Sequence, residues 1–399
     1  MVYDMIIVGG GIVGLAIALA VKTRDPDCKL AVLEKESGWA KHQSSRNSGV
    51  IHAGIYYHPG SKKATFAASG NPSMYAFCEA HDIPVQRTGK LIVATSPDQL
   101  PALDLLNQRA AANGVEVFAL DGAAAQEREP HVNCLQALHL PATGVVDFKQ
   151  VAAKYVELLS AAGVDLILNC EVTALKHHGW GYSISSSQEG YQTRYLISSA
   201  GLYADRLALM AGVDPGMRII PFRGEYWSLA RERRSLVKSL IYPVPDPKFP
   251  FLGVHLTRLL DGSVHAGPNA VLAFSREGYS WNTIQGRDLM ETITYPGFIK
   301  LAHTYFREGL QEIRRSLMKS AFVTSVKELI PEVNAEDLVQ MKSGVRAQAV
   351  RKDGGMMDDF HVLEQSHAMF ILNAPSPAAT ASLEIGKFVA DRLYGEQII

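Results

Sequence analysis

Cysteine is scarce in this sequence: four in 399 residues, Cys28, Cys78, Cys134 and Cys170, with no C-x-x-C among them. That spacing argues against a disulfide framework or a zinc site and suits a reducing compartment. An excess of one charge sign is also missing. Lys and Arg number 39 against 40 Asp and Glu, a formal net charge of −1. No global basic field is available to hold nucleic acid. Long apolar runs are absent but for one, Met5 to Val21. Asp4 stands where a leader would carry positive charge, and the run holds Gly9, Gly10, Gly11 and Gly14, so it reads as neither signal peptide nor anchor. No other stretch approaches bilayer length. The expectation is a cytoplasmic protein, with peripheral contact to the cytoplasmic membrane face left open. No G-x-S-x-G elbow occurs. His177-His178 has no acid or cysteine at ligand spacing, so no metal is expected.

What is present begins at the N-terminus. Met5 to Val8 reads as a buried parallel strand, Gly9-Gly-Gly-Ile-Val-Gly14 matches G-x-G-x-x-G, and Leu15 to Lys22 reads as a helix. Leu30 to Leu33 is a second strand, and Glu34 ends it twenty residues after Gly14. Each part has a physical task. Gly9 allows the tight turn, Gly11 lets the backbone approach a pyrophosphate, and Gly14 lets the helix pack on the strand. The helix start offers N–H groups and positive dipole to phosphates. Glu34, followed by Lys35, can accept from ribose hydroxyls and repels a 2′-phosphate. The full strand–helix–strand–acid context makes this a dinucleotide site, without separating FAD from NAD.

The segment Lys41-His-Gln-Ser-Ser-Arg-Asn-Ser-Gly-Val-Ile-His-Ala-Gly-Ile-Tyr-Tyr57 follows close behind. A simple NAD domain would enter its next crossover helix here. This long polar loop resembles the flavin-facing loop of the D-amino-acid oxidase superfamily of FAD enzymes. Tyr195-Leu-Ile-Ser-Ser-Ala-Gly201 and Met369-Phe-Ile-Leu-Asn373, the latter leading into Ala374-Pro-Ser-Pro-Ala-Ala-Thr380, agree with it. With Pro221-Phe-Arg-Gly-Glu-Tyr226, Tyr242 to His255 and Ser343-Gly-Val-Arg-Ala-Gln348, the set resembles, in order and over nearly the whole chain, the L-2-hydroxyglutarate oxidase/dehydrogenase branch.

The resemblance implies FAD as cofactor and oxidation of a dicarboxylate 2-hydroxy acid, L-2-hydroxyglutarate, to 2-oxoglutarate. It implies a mixed α/β fold: a discontinuous Rossmann-like FAD-binding domain at 1–85, 145–215 and 335–399, and a sheet-rich substrate domain at 86–144 and 216–334. Ser44, Ser45, Arg46, Asn47, Val172, Ala200, Gly201, Gly344, Ser376, Ala379 and Thr380 would hold FAD. Ser376 reads as a helix N-cap with Pro377 at the first helical position, aiming positive dipole at the flavin.

Such a reaction needs a base for the hydroxyl proton and cationic partners for two carboxylates. His52 and His255 are rival bases, each open to a bland reading as a satisfied structural histidine. His52 is also a candidate covalent tether for FAD. Arg346 is the leading catalytic-site carboxylate partner. Arg223, Lys248 and Arg258, with Tyr57 and Tyr226 as hydroxyl donors, are further substrate-binding candidates. Oxygen and a membrane quinone both remain as electron acceptor. Thr292 to Phe322 mixes Tyr295, Phe298, Tyr305 and Phe306 with basic residues; it reads either as a core-packed helix pair with a solvated basic face or as a surface touching anionic lipid. An amino-acid oxidase or dehydrogenase of the same superfamily and a non-catalytic FAD module are the alternative functions; an NAD-dependent dehydrogenase is disfavoured.

Overall fold

The structure is a computed structural model that describes residues 2–245 and 253–395. Its first sheet has eight strands. The strand Val2–Val8 (β1) lies between Leu30–Leu33 (β2) and Gly190–Ser198, parallel to both. Asp165–Ile167 extends the sheet beside β2, and Ala368–Asn373 pairs in parallel with Gly190–Ser198 on the other side. β2 and the carboxyl-terminal halves of β1 and Gly190–Ser198 are buried runs, because both sheet faces are covered there. The helix Ile12–Arg24 (α1) and the last helix, Ser382–Leu393, pack together over one face. Ile7, Leu15, Ile17, Val32 and Ile197 are completely buried there.

The second sheet, also eight-stranded, is mostly antiparallel. Its centre is Lys90–Ala94, flanked by Gln136–Leu140 and by Leu240–Pro243, which is followed by His255–Arg258. A smaller sheet joins the two halves. In it Met217–Gly224 runs antiparallel to Gly344–Arg351 for eight residue pairs, with Phe222 opposite Arg346 and Gly224 opposite Gly344. This ladder carries the Ser343-Gly-Val-Arg segment to the seam between the large sheets.

Two sequence expectations need correction here. Ser376 does not cap a helix: residues 376–381 coil in turns, with Ala381 N–H on the Pro377 carbonyl, and the helix begins only at Ser382. The region 292–322 is neither a simple helix pair nor an aromatic surface. It forms short helices Gly286–Ile293, Pro296–Thr304, Phe306–Leu317 and Lys319–Lys327. Tyr295 is buried with Ile220, Leu301 and Val350, and Phe298 and Tyr305 lean on the same cluster. The large apolar side chains that reach solvent are mostly non-aromatic: Ile284, Met290, Ile293, Ile299, Leu310, Ile313, Leu317 and Met318, joined by Phe306. Among the described residues no helix is long and apolar enough to cross a membrane.

Candidate active site

A cavity of about 1350 Å³ runs from the carboxyl end of β1 to the seam between the sheets. Small-ligand pockets occupy roughly 300–1,000 Å³, so this one has room for a dinucleotide and a second small molecule. At the β1 end its walls are Gly9, Gly11, Ile12 and Val13. Gly9 has φ +112°, and a Cβ on it would sit 2.4 Å from the Ser199 carbonyl oxygen. A Cβ on Gly14 would sit 2.1 Å from the Gly9 carbonyl oxygen. The turn and the helix–strand approach therefore both demand glycine. Gly11 caps α1 without a side-chain bond, leaving the positive helix end facing the cavity. Ser44 Oγ takes the Ile12 N–H at 2.9 Å and ties the polar loop to the helix start.

Glu34 is 9% exposed. Its carboxylate accepts the Gly10 N–H at 2.7 Å and the Glu36 N–H at 2.9 Å. A carboxylate has about four acceptor sites, so lone pairs remain for ribose hydroxyls. Lys35 bonds Glu36, and Glu277 at 2.5 Å. Burial pulls the Lys35 ammonium pKa down, but these two carboxylates outweigh it and hold the proton more firmly than usual. Arg46, Asn47, Val172, Ala200, Gly201, Gly344, Ser376, Ala379 and Thr380 all line the same cavity. Thr380 Oγ1 bonds the Val50 carbonyl and accepts the His52 N–H, each at 3.2 Å. Ser45 is the exception: it lies off the cavity wall, its hydroxyl turned to the His42 carbonyl at 3.5 Å. The glycine cradle, the acid and the open helix end fit FAD. Glu36, His42 and Glu277 bring three ligand-type atoms within 4.8 Å of one another, but the Lys35 ammonium already bonds both acids.

The far end of the cavity is lined by His52, Tyr56, Tyr57, Tyr226, Tyr242, His255 and Arg346. His255 is 6% exposed and stacks on Tyr242, ring centroids 3.9 Å apart. Its Nδ1 lies 2.9 Å from the Gly253 carbonyl. A carbonyl only accepts, so Nδ1 carries the proton and Nε2 keeps a lone pair. His52 Nδ1 is buried without a hydrogen-bond partner. Burial pulls His52 down to about 3, with Lys90, His255 and Lys63 adding to the effect. Burial likewise pulls His255 down to about 4; the Gly253 bond opposes this, and Lys90 and Arg346 reinforce it. Both imidazoles are neutral at pH 7. Arg346 is open to the cavity but deep in the protein, so desolvation lowers its pKa. Lys63 bonds Asp358 at 2.7 Å and lies over the Tyr57 ring.

Sequence reasoning passed over Lys90, the first residue of a central strand. It is 1% exposed, its ammonium lies over the rings of Tyr56 and Tyr242, and it has no ion pair among the described residues. Desolvation pulls it down to about 7. A lysine opening a strand usually faces solvent, so pattern gave no warning; only the tertiary packing of two tyrosines around it does. Two substrate candidates are misplaced. Arg223 is buried against Glu225, with bonds of 3.1 and 3.0 Å, and stacks over Trp281, off the cavity wall. Arg258 turns away to the carbonyls of Arg234 and Val237. Lys248 lies outside the described residues.

The chain is similar to known proteins along its whole length. The family model described as FAD dependent oxidoreductase matches residues 4–392. L-2-hydroxyglutarate dehydrogenase of Indibacter alkaliphilus is 47% identical over 393 residues, 98% of each chain. Its counterpart in Escherichia coli K12 is 44% identical, covering 98% of this chain and 93% of that one. The mitochondrial enzyme of Bos taurus is 40% identical, covering 98% and 88%. Among solved structures, L-alpha-glycerophosphate oxidase of Mycoplasma pneumoniae with FAD bound superposes with TM-score 0.81 at 22% identity, covering 99% and 95% of the two chains. Glycine oxidase of Geobacillus kaustophilus gives 0.74 at 18%, with the same coverage. These likenesses show the mixed α/β fold expected from the sequence. The chain belongs to the FAD dependent oxidoreductase family.

Proposed function

We propose that this protein is an FAD-dependent L-2-hydroxyglutarate dehydrogenase, producing 2-oxoglutarate. The observation that carries the reading is the end-to-end identity of 47% with a protein of that name. The cavity supports it. Arg346 opens into its far end and buried Lys90 stands behind the tyrosine wall, while Asp358, which also lines the cavity, is tied to Lys63. Desolvated cations at this end of the cavity favour an anionic ligand. Bleaching of the flavin by the L but not the D acid tests the reading.

FAD, held by the β1 cradle, supplies an acceptor for the C2 hydride. The protein's part is to hold the dicarboxylate and take the hydroxyl proton. Arg346 grips one carboxylate as a fork. His52 takes the proton: its backbone N–H bonds Thr380, and its Nδ1 is a buried polar atom without a protein partner, which a bound hydroxyl would satisfy. His255, its tautomer fixed by Gly253, accepts a hydrogen bond through Nε2 and orients the substrate. Bound carboxylates offset the field of Lys90 and Lys63 and raise the pKa of His52 toward about 7, where a base works best.

The electrons then pass to a quinone at a membrane surface. The helical insert at 284–318 supports that partner. Its exposed charged residues, Arg287, Lys300, Arg307 and Arg314, are all basic, and they are interspersed along the chain with aliphatic side chains open to solvent, Leu317 at 65% exposure. Exposed apolar side chains interspersed with cations suit an anionic bilayer surface. Arg287, Glu291 and Tyr305 of the same insert also line the cavity, so the insert adjoins it.

A further inference from the structure

The segment linking Val271–Leu272 to the helix Gly286–Ile293 bonds side chains that line the nucleotide end of the cavity. Glu277, at its middle, bonds two side chains from opposite walls. Its carboxylate takes the Lys35 ammonium at 2.5 Å, just beyond β2, and the Tyr203 hydroxyl at 2.8 Å, just beyond Gly190–Ser198. Those two strands flank β1 on either side, so the carboxylate spans the crest where Gly9 and Gly11 lie. Two residues on, the Tyr279 hydroxyl meets His42 Nδ1 at 2.6 Å, and the Arg46 guanidinium stacks 3.9 Å from its ring centroid. Lys35, His42, Arg46 and Tyr203 all line the cavity. The segment is rooted by Arg276, 3% exposed, which holds Asp205 at 2.5 and 2.9 Å.

We propose that residues 276–279 form a strap over the FAD groove, and that Glu277 and Tyr279 set how slowly the cofactor leaves. The inference rests on the FAD reading of the cavity. The fold around the groove does not depend on these contacts. Both walls are already joined through β1 by the parallel ladder and by a fully buried apolar core. What the Lys35–Glu277–Tyr203 bridge adds is a tie, with charge on a half-buried lysine, between two side chains that line the groove. A partly buried charged hydrogen bond of this kind opposes opening more than a fully solvated pair would.

The test is FAD release from the holoenzyme. Holoenzyme is diluted and passed through desalting columns at intervals, and the flavin absorbance kept by the protein is read against time. Glu277→Ala and Tyr279→Phe are each compared with wild type, and the apoproteins are melted in parallel. The proposal expects release at least about tenfold faster for Glu277→Ala and a smaller rise for Tyr279→Phe, with apoprotein melting temperatures unchanged. Release within about twofold of wild type in both variants overturns the strap. So does faster release that merely follows a lower melting temperature and is reproduced by a core substitution in the other sheet, such as Leu91→Ala. A wild-type protein that binds no FAD at all overturns the FAD reading and the strap together, whereas a yellow wild type with unaltered variants overturns the strap alone.

Discussion

Tyr242 and His255 lie face to face, ring centroids 3.9 Å apart and 22° from parallel. The stack and the Gly253 carbonyl together fix the imidazole of His255 with Nε2 as its acceptor. His52 has no such fixed partner at Nδ1. The two histidines therefore do different work, and their removal should have different signatures.

His52→Ala should slow anaerobic flavin reduction by at least about 100-fold at saturating substrate, the usual cost of losing a general base. His255→Ala should act mainly on KM and by a smaller factor on the reduction rate. Stopped-flow reduction of each variant measures both. A larger loss of rate in His255→Ala would move the base to His255.

Lys90 makes a prediction about pH. Its ammonium is charged below about pH 7, and a bound dianion favours that charged form. Above pH 7 the free enzyme must take up a proton to bind, so kcat/KM should fall by up to about tenfold per pH unit. Lys90→Met should lower kcat/KM at pH 6 and remove this alkaline fall. The same residue affects stability with a definite sign. Unfolded, it keeps its proton to about pH 10.4; folded, it loses it at about 7. Between those values the unfolded chain binds more protons, so stability rises with pH across the window, and the penalty of charged Lys90 is greatest below pH 7. Lys90→Met should therefore raise the urea midpoint at pH 7 and flatten that rise. A variant with the wild-type pH profile and midpoint would remove Lys90 from the account.

The N-terminal half of the site was legible in the sequence because its chemistry is local. Gly9, Gly11, Gly14 and Glu34 stand at fixed spacing within one strand–helix–strand unit, and the backbone needs that each satisfies are set within that unit. His52 and Arg346 were legible only through resemblance. Phe222 and Arg346 meet across an antiparallel ladder between segments more than a hundred residues apart, which no periodicity reveals. Arg223 misled because basic character alone does not say where a side chain points. Pairing with Glu225 two residues on buries it away from the cavity. Lys90 was missed for the converse reason, since a charge at a strand end is ordinarily solvated. Ser376-Pro377 carried the composition of a helix start, but the chain coils for one more turn before Ser382.

Vesicle binding checks the basic, aliphatic insert. Holoenzyme should sediment with phosphatidylglycerol-containing vesicles, less with pure phosphatidylcholine, and less again as salt is raised. Ile313→Glu with Leu317→Glu should abolish sedimentation, since both side chains are exposed and neither touches the cavity. Failure of the wild type to bind, or binding that survives the double substitution, would contradict a membrane role for this face.

The most direct test of the central claim is an anaerobic titration of the yellow holoenzyme with L- and then D-2-hydroxyglutarate, followed by flavin absorbance near about 450 nm, a property of the cofactor. The account predicts complete bleaching by the L acid at stoichiometric addition, formation of one equivalent of 2-oxoglutarate, and no change with the D acid. A flavin that stays oxidised with both acids, or that an amino acid bleaches in their place, would contradict it.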